Sequence, residues 1–298
     1  MTNATAKTTY QAVGNKEDLV DVVTNISPTD TLFLNKFGQS EANGVYHEWT
    51  TDSLAAAADN AQIEGSDYTF SRVASRTRTG AYTQIFVTPV EVSETQRVVN
   101  KAGVEDEFAY QMAKKMKEHA RDIEISLATG TGNSGASGTA RRLKGVYSWI
   151  STVNITGTGT GSETLTEDMF STALQNIWEQ GGEPMDAFAA GFQKRKISAF
   201  AGGTTKMQVV TEEKKVINAV DVYMSDFGRI RVHAHRWTPA DQVGILTLDL
   251  WKVAYLRRTK KYDVARVGSA TRGVIESELT LEARQEAGSG KITQLSTS

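Results

Sequence analysis

The longest periodic segment of the chain lies between Val104 and Thr129 and predicts one amphipathic helix. Its apolar side chains recur at helical spacing and mark a single face: Val104, Phe108, Met112, Met116, Ile123 and Leu127. Acidic residues at Glu105–Glu107 open the segment and basic residues follow it, which agrees with the direction of the helix dipole. At 1.5 Å per residue the helix extends for roughly 38 Å. It is the longest rigid element that the sequence predicts.

Residues 1–43 precede this helix and predict an N-terminal arm. They are short polar stretches broken by glycine and proline, and their one apolar cluster lies within Leu32–Phe37. Ser27–Asp30 has the composition of a turn that leads into this cluster. We therefore expect the cluster to anchor the arm on another surface.

Residues 44–92 predict a long, projecting hairpin. Val45–Thr50 alternates between two faces, and extended runs follow at Asp67–Arg78 and Tyr82–Val92 after a polar, alanine-rich loop. A two-stranded hairpin is marginal alone in water, and its open edges pair readily with other chains. We therefore expect neighbouring molecules to stabilise it.

Ser93–Gln96, just ahead of the long helix, fits a capping box and predicts an additional helix start.

The chain after the long helix predicts a compact mixed α/β unit and returning strands. The later predicted elements are a strand-like segment at Leu143–Val153, a helix capped by Thr166, a strand at Ala187–Ala190, a helix over Arg195–Phe200, a hairpin with its turn at Asp226–Gly228, and strands at Trp251–Leu256 and Val274–Ala283.

Composition removes several classes of function. The 298 residues carry a formal net charge of -2 and contain no cysteine. The charge shows no basic excess of the kind that marks a dedicated nucleic-acid binder, and the lack of cysteine removes disulfides, thiolate zinc sites and cysteine nucleophiles. No apolar run is long enough to span a membrane and the N-terminus lacks the apolar core of a signal peptide, so we expect a cytosolic protein.

Two short motifs match known signatures without their structural context. Gly130–Gly135 matches G-x-G-x-x-G, but a helix rather than a strand precedes it, which favours a flexible connector over a dinucleotide site. Asp226–Gly228 spells the magnesium-binding triplet of protein kinases without the other kinase motifs, and it predicts a hairpin turn.

Two carboxylate pairs are candidates for acid/base chemistry: Asp122 with Glu124, and Glu276 with Glu278. Each pair lies on a face that we expect to be solvated, and no histidine is placed in sequence as a partner. We therefore predict no catalytic residue, no cofactor and no enzyme activity.

His233 and His235 share one predicted strand face, but two ligands are too few for a metal site, so a solvated face is favoured and no metal is predicted. Basic and aromatic residues interleave between Arg229 and Lys261, as on a nucleic-acid platform. This basic strip gives the alternative function, a nucleic-acid-binding oligomeric module. The near-neutral total charge favours a solvated face beside a buried aromatic core.

Six residues of the arm and the hairpin are the predicted contacts between subunits. Alternating arginines on an unsupported hairpin suit salt bridges across such a contact, because the guanidinium fork binds a carboxylate at two points. The set is Phe33, Phe37, Trp49, Arg72, Arg76 and Arg78.

The order of arm, projecting hairpin, long helix, α/β unit and returning strand resembles the Hong Kong 97-type fold of tailed-phage major capsid proteins. Local sequence is similar to one branch of that family at His47–Leu54, Asn60–Gly65, Leu250–Arg257 and Glu278–Arg284. The resemblance covers nearly the whole chain. It implies an α+β fold with an N-terminal arm (1–43), an E-loop hairpin (44–92), a P-domain with the spine helix (93–155), an α/β A-domain (156–257) and a P-domain return strand with a C-terminal tail (258–298).

The resemblance also implies function and partners. Such a protein assembles through hexamers and pentamers into the icosahedral head shell around packaged phage DNA. Expected partners are other copies of the chain, scaffold, portal and decoration proteins, and double-stranded DNA through non-specific contacts, with no membrane and no small-molecule substrate. The expected location is the virion shell, assembled in the bacterial host cytoplasm. Some relatives cross-link the shell through an E-loop lysine, but Val45–Val92 contains no lysine, so we predict no such bond.

Overall fold

The computed structural model describes residues 30–297, apart from 66, 68, 69, 71, 72, 74, 100–103, 158–162, 201–221 and 267. In this part of the chain the elements are α1 (Leu32–Lys36), β1 (Gly38–Glu41), β2 (Tyr46–Thr51), β3 (Thr77–Tyr82), β4 (Gln84–Ser93), α2 (Glu94–Val98), α3 (Glu107–Thr129), β5 (Thr131–Asn133), β6 (Arg142–Lys144), α4 (Val146–Trp149), β7 (Val153–Thr156), α5 (Glu167–Glu179), β8 (Asp186–Ala189), α6 (Gly191–Ser198), β9 (Val222–Ser225), β10 (Gly228–Ala234), β11 (Val243–Leu246), β12 (Trp251–Val264), β13 (Ala270–Ala283) and β14 (Gly290–Thr293). They form a four-stranded sheet packed on α3, a six-stranded sheet packed on α5 and α6, and two two-stranded sheets, β2–β3 and β5–β6.

The four-stranded sheet is built on β12 and β13, two antiparallel strands of 14 residues each. β4 pairs antiparallel with β13 on one side, and β1 pairs parallel with β12 on the other. The alternation predicted for β13 is present, but every residue from Ser277 to Ala283 is buried. Its polar face is covered as well, because Glu278 and Glu282 accept hydrogen bonds from Thr83 and Ser40.

Helix α3 confirms the predicted long helix. It begins at Glu107, where the side chain of Asp106 accepts a hydrogen bond from the N–H of Phe108 and caps the first turn. Gly273 of β13 lets the helix approach closely, since a Cβ there would lie 2.6 Å from the Cε of Met112. Four of the six residues predicted for the apolar face are buried: Phe108, Met112, Ile123 and Leu127.

The six-stranded sheet has the order β7-β14-β11-β8-β10-β9 and mixes parallel with antiparallel pairs. Side chains of β8 alternate: Ala187 and Ala189 lie in the apolar cluster of α5 and α6, whereas Phe188 lies in the cluster that contains α3 residues. Thr166 caps α5 as predicted, by accepting a hydrogen bond from the N–H of Met169. The sheet therefore has two buried faces.

The predicted strand at Leu143–Val153 is wrong. This segment contains the end of β6, helix α4 and the first residue of β7. Its apolar residues are spaced as one side of a helical turn, and all are buried: Val146, Tyr147, Trp149 and Ile150.

The projecting hairpin is shorter than predicted. β2 pairs with β3, from Tyr46 opposite Tyr82 to Thr51 opposite Thr77. β4, which matches the predicted run Tyr82–Val92, instead pairs with β13 in the body of the protein. The predicted domain limits stay predictions. The strand order adds that β14, close to the C-terminus, lies in the six-stranded sheet between β7 and β11.

Candidate assembly surfaces

The arm ends in α1, which packs into the core of its own chain. Phe33 and Phe37 are 0% and 4% exposed, and their rings stack with centroids 4.9 Å apart. The ring of Phe33 meets Phe188 edge-on at 4.9 Å, and that of Phe37 stacks on Trp251 at 6.2 Å. These side chains pack within their own subunit, and the predicted contact of Phe33 and Phe37 with a neighbouring subunit stays a prediction.

A buried carboxylate on α3 holds the backbone of α1. Glu124 is fully buried, its Oε1 accepts a hydrogen bond from the N–H of Phe33 at 2.6 Å, and its Oε2 accepts one from the N–H of Leu34 at 3.0 Å. The Nε2 atom of His235, just after β10, lies 3.0 Å from the same Oε1. The prediction of a solvated Glu124 without a histidine partner is therefore wrong.

A second buried carboxylate, Asp186 at the start of β8, holds the end of α1. Its side chain pairs with Lys36 at 3.2 Å, with Arg231 at 2.7 Å and with the Nε2 of His233 at 2.6 Å. Burial alone would raise the pKa of Asp186, but hydrogen bonds from His233, Arg231 and Lys36 outweigh it and hold that pKa below its ordinary value. Burial lowers the pKa of His233 despite its bond to Asp186, so Lys36 and Arg231 supply the opposing positive charge.

The chain after β10, at residues 235–237, also contacts the arm. Arg236 Nε lies 2.8 Å from the carboxylate of Asp30, and Trp237 Nε1 donates to the carbonyl oxygen of Asp30 at 3.1 Å. The arm is thus tied to the chain that follows β10 as well as to α3 and β8.

The β2–β3 hairpin rests on the body through Trp49 and His47. The ring of Trp49 lies 5.6 Å from that of Trp149, and the Nε2 of His47 lies 3.5 Å from the carboxylate of Glu282. Within the described part of the chain, the buried indole N–H groups of Trp49 and Trp149 have no hydrogen-bond partner. Trp49 packs within its own subunit, and its contact with a neighbour stays a prediction.

The hairpin arginines have acidic partners in their own chain where they are described. Arg78 donates to both carboxylate oxygens of Glu48 at 2.9 Å, and Arg76 lies 3.5 Å from Asp52. Both pairs are solvent-exposed, and such pairs contribute little stability, so both arginines stay predicted contacts. Arg72 lies outside the described residues.

The loop between β2 and β3 exposes large apolar side chains that our prediction of contacts missed. The fractions exposed are 99% for Leu54, 83% for Ile63, 93% for Phe70 and 88% for Val73. These residues are spaced without a strand or helix period along a polar, alanine-rich loop. In the sequence they could be recognised only as large apolar residues within a polar segment. Each of these side chains would be stabilised by a surface that covers it, because apolar surface in water is unfavourable.

The face of the four-stranded sheet opposite α3 is also partly apolar. On β4, Phe86 and Val90 are buried while Ile85 and Val87 are 45% and 54% exposed. Tyr262 on β12 is 46% exposed. An open pocket of about 470 Å³ adjoins this face, lined by Ile85, Ser134, Gly135, Ala136, Thr139, Ala140 and Arg141.

The predicted basic strip is not a free cationic surface. Arg231 pairs with Asp186, Lys261 lies 3.7 Å from Asp263, and Arg257 pairs with Glu276 and Glu278. His235 is buried rather than solvated. The geometry therefore does not support the alternative function of a nucleic-acid module built on this strip.

Glu278 corrects a second expectation about the carboxylate pairs. It is 4% exposed instead of solvated, and its carboxylate accepts hydrogen bonds from Thr83, Arg141 and Arg257. Burial alone would raise the pKa of Glu278, but these hydrogen bonds and the arginine charges hold it below its ordinary value. The group joins the hairpin base to β13 and shows no reactive arrangement.

Other motifs take structural roles. Asp226 and Phe227 form the turn between β9 and β10, as predicted. Among the described residues, no three histidine, aspartate or glutamate side chains are grouped closely enough to hold a metal ion. In that same portion of the chain, no helix has the length and apolar character needed to cross a membrane.

Known proteins resemble this chain over nearly its full length. A family model for the SU10 major capsid protein matches residues 2–296. The major capsid protein of Escherichia phage Phieco32 is 26% identical over 343 residues, with 97% of each chain covered.

Solved structures share the fold. The capsid asymmetric unit of cyanophage A-1(L) has a TM-score of 0.72 at 14% identity, with 100% of both chains covered. The SrpI encapsulin complex from Synechococcus elongatus PCC 7942 has a TM-score of 0.60 at 10% identity, with 96% of this chain and 94% of that chain covered. These structures confirm the predicted Hong Kong 97-type fold, and at such identities they show the fold alone. The family model carries the assignment further: the chain belongs to the SU10 major capsid protein family.

Proposed function

We propose that this chain builds the icosahedral head shell of a tailed phage by assembling with copies of itself into hexamers and pentamers. The single observation that carries the proposal is the loop of the β2–β3 hairpin, where Leu54, Phe70 and Val73 are each almost fully exposed. A subunit that stays alone gains nothing from such a loop, because apolar surface in water is unfavourable. A second copy of the chain can cover it.

The proposed role is structural. Buried ionisable groups such as Glu124, Asp186 and Glu278 each have hydrogen-bond partners within the described residues, as in a structural network. Packaged double-stranded DNA and the scaffold, portal and decoration proteins are the further proposed partners. Assembly would take place in the host cytoplasm and end in the virion.

Electron microscopy of the expressed chain tests the proposal. We expect closed shells, capsomer rings or tubes. A stable monomer that binds DNA tightly, with the steep salt dependence of phosphate contacts, would contradict it.

The loop itself is tested by the triple variant Leu54→Ser, Phe70→Ser and Val73→Ser. We expect a folded subunit with an unchanged melting temperature and at least a tenfold lower yield of closed particles. The matched control replaces Ala55, Ala56 and Ala57 of the same loop by serine, which removes little apolar area and leaves assembly unchanged. Normal assembly of the first triple variant would show that the loop is not a contact surface.

A further inference from the structure

The carboxylate of Glu124 joins three separate parts of the chain. It lies on α3, it accepts hydrogen bonds from the N–H groups of Phe33 and Leu34, and it contacts the imidazole of His235. The two backbone partners lie 91 and 90 residues away, and the histidine lies 111 residues away. If α1 were removed, Glu124 would lose Phe33 and Leu34 and keep only His235 of these three hydrogen-bond partners.

The carboxylate satisfies two N–H groups in the first turn of α1, which have no acceptor within the helix. An apolar side chain of similar volume could fill the space but could not accept these hydrogen bonds. A carboxylate does differ from an apolar group in direction, because its oxygens demand donors at defined positions. Here those donors are consecutive backbone N–H groups of α1, so only one docked position of α1 satisfies Glu124.

The other end of α1 has a matching arrangement. Lys36 reaches Asp186, which is the first residue of β8 in the six-stranded sheet. Glu124 belongs to α3, which packs on the four-stranded sheet. The five residues of α1 therefore bridge the two sheets through one polar anchor on each side, with Phe33 filling the space between them.

We propose that α1 is a clasp that fixes the six-stranded sheet against α3, with Glu124 and Asp186 as its two anchors. Engagement of this clasp sets the relative position of the two halves of the subunit that closed shells require. Glu124 and His235 act as positioning residues for the arm. The inference rests on the proposed function for its assembly readout, but the docking of α1 is measured independently.

The first test is Glu124→Gln, which keeps the size of the side chain but turns one acceptor into a donor facing the backbone N–H groups. Hydrogen–deuterium exchange of the peptide that contains Phe33 and Leu34 should become about 10- to 100-fold faster, the factor expected for the loss of hydrogen bonds to a charged group. Peptides from the middle of α3 should keep their exchange rates. The yield of closed shells should fall.

The second test separates a positioning role from a merely structural one. In the double variant Glu124→Leu and His235→Leu both polar side chains are replaced by apolar ones, so no buried charge is left unpaired, but the N–H groups of Phe33 and Leu34 lose their acceptor. Protection of α1 is therefore measured at the N–H of Phe37, which bonds to the carbonyl oxygen of Phe33 within α1. A merely structural pair predicts that this double variant regains protection of α1 and normal shells. The clasp predicts the opposite, with rapid exchange of α1, few closed shells and a melting temperature lowered by the lost burial of Phe33.

Asp122→Asn provides the matched control, because Asp122 lies two residues earlier on α3 and is exposed. It should change neither readout. Wild-type protection of α1 in the double variant overturns the clasp, even if Glu124→Gln fails to fold. Failure of the wild-type chain to form any particle would count against the proposed function, while the exchange comparison would still decide the clasp.

Discussion

Replacing Phe33 by alanine tests whether the arm is anchored in its own subunit. The side chain is fully buried, and its ring contacts Phe37 and Phe188 at 4.9 Å each. Loss of a buried phenylalanine side chain costs about 3–5 kcal/mol, and aromatic pairs add about 0.5–1.5 kcal/mol each beyond area burial. Because the range for such substitutions already includes the lost aromatic contacts, we expect a loss in its upper half, about 4–5 kcal/mol, in the free energy of unfolding.

The assay is urea or thermal unfolding of the unassembled subunit, followed by circular dichroism. At roughly 2 °C per kcal/mol, the lower end for large domains, the melting temperature should fall by about 8 °C or more. Leu54→Ala is the control, since that side chain is 99% exposed and exposed substitutions usually stay within about 0.5 kcal/mol.

The result that would refute this reasoning is a Phe33→Ala subunit within about 1 kcal/mol of the wild type that no longer forms shells. Phe33 would then gain its burial from a neighbouring subunit, as the sequence predicts. A large loss of stability in the unassembled subunit is possible only if the aromatic contacts are intramolecular.

Three further predictions concern pH, cross-linking and backbone packing. Burial alone would raise the pKa of Glu286, but hydrogen bonds from Thr152 and Ser151 hold it below 4.5. The stability that this carboxylate contributes is therefore complete above about pH 4.5 and declines as the pH falls through its folded pKa. We expect Glu286→Gln to flatten the acid limb of a plot of urea midpoint against pH. Because Val45–Val92 contains no lysine, mature particles should run as monomers on a denaturing gel, and a covalent ladder would contradict this prediction. A Cβ on Gly145 would lie 2.6 Å from the backbone nitrogen of Gly130, so Gly145→Ala should cost about 1–3 kcal/mol in urea unfolding, whereas Gly191→Ala, with open space around its Cβ, should not destabilise the protein.

Much of the secondary structure was predictable because it depends on residues close together in sequence. The apolar face of α3, the caps at Ser93 and Thr166, and the turn between β9 and β10 all involve residues within a few turns or positions of one another. The segment Leu143–Val153 was missed because its apolar residues suit a short helical turn as well as a strand. Period alone does not separate the two over so few residues.

The amino-acid sequence by itself determined the existence and buried face of α3, the caps of α2 and α5, and the absence of cysteine chemistry, since period, capping and composition are local properties. The tertiary structure decided the partner of β4 and the burial of Phe33, Glu124 and Glu278. Those outcomes rest on contacts such as Phe33 with Glu124 and Thr83 with Glu278, which join residues 91 and 195 positions apart. A buried carboxylate and a solvated one have the same local sequence pattern, because the difference lies in donors that only the folded chain brings to them.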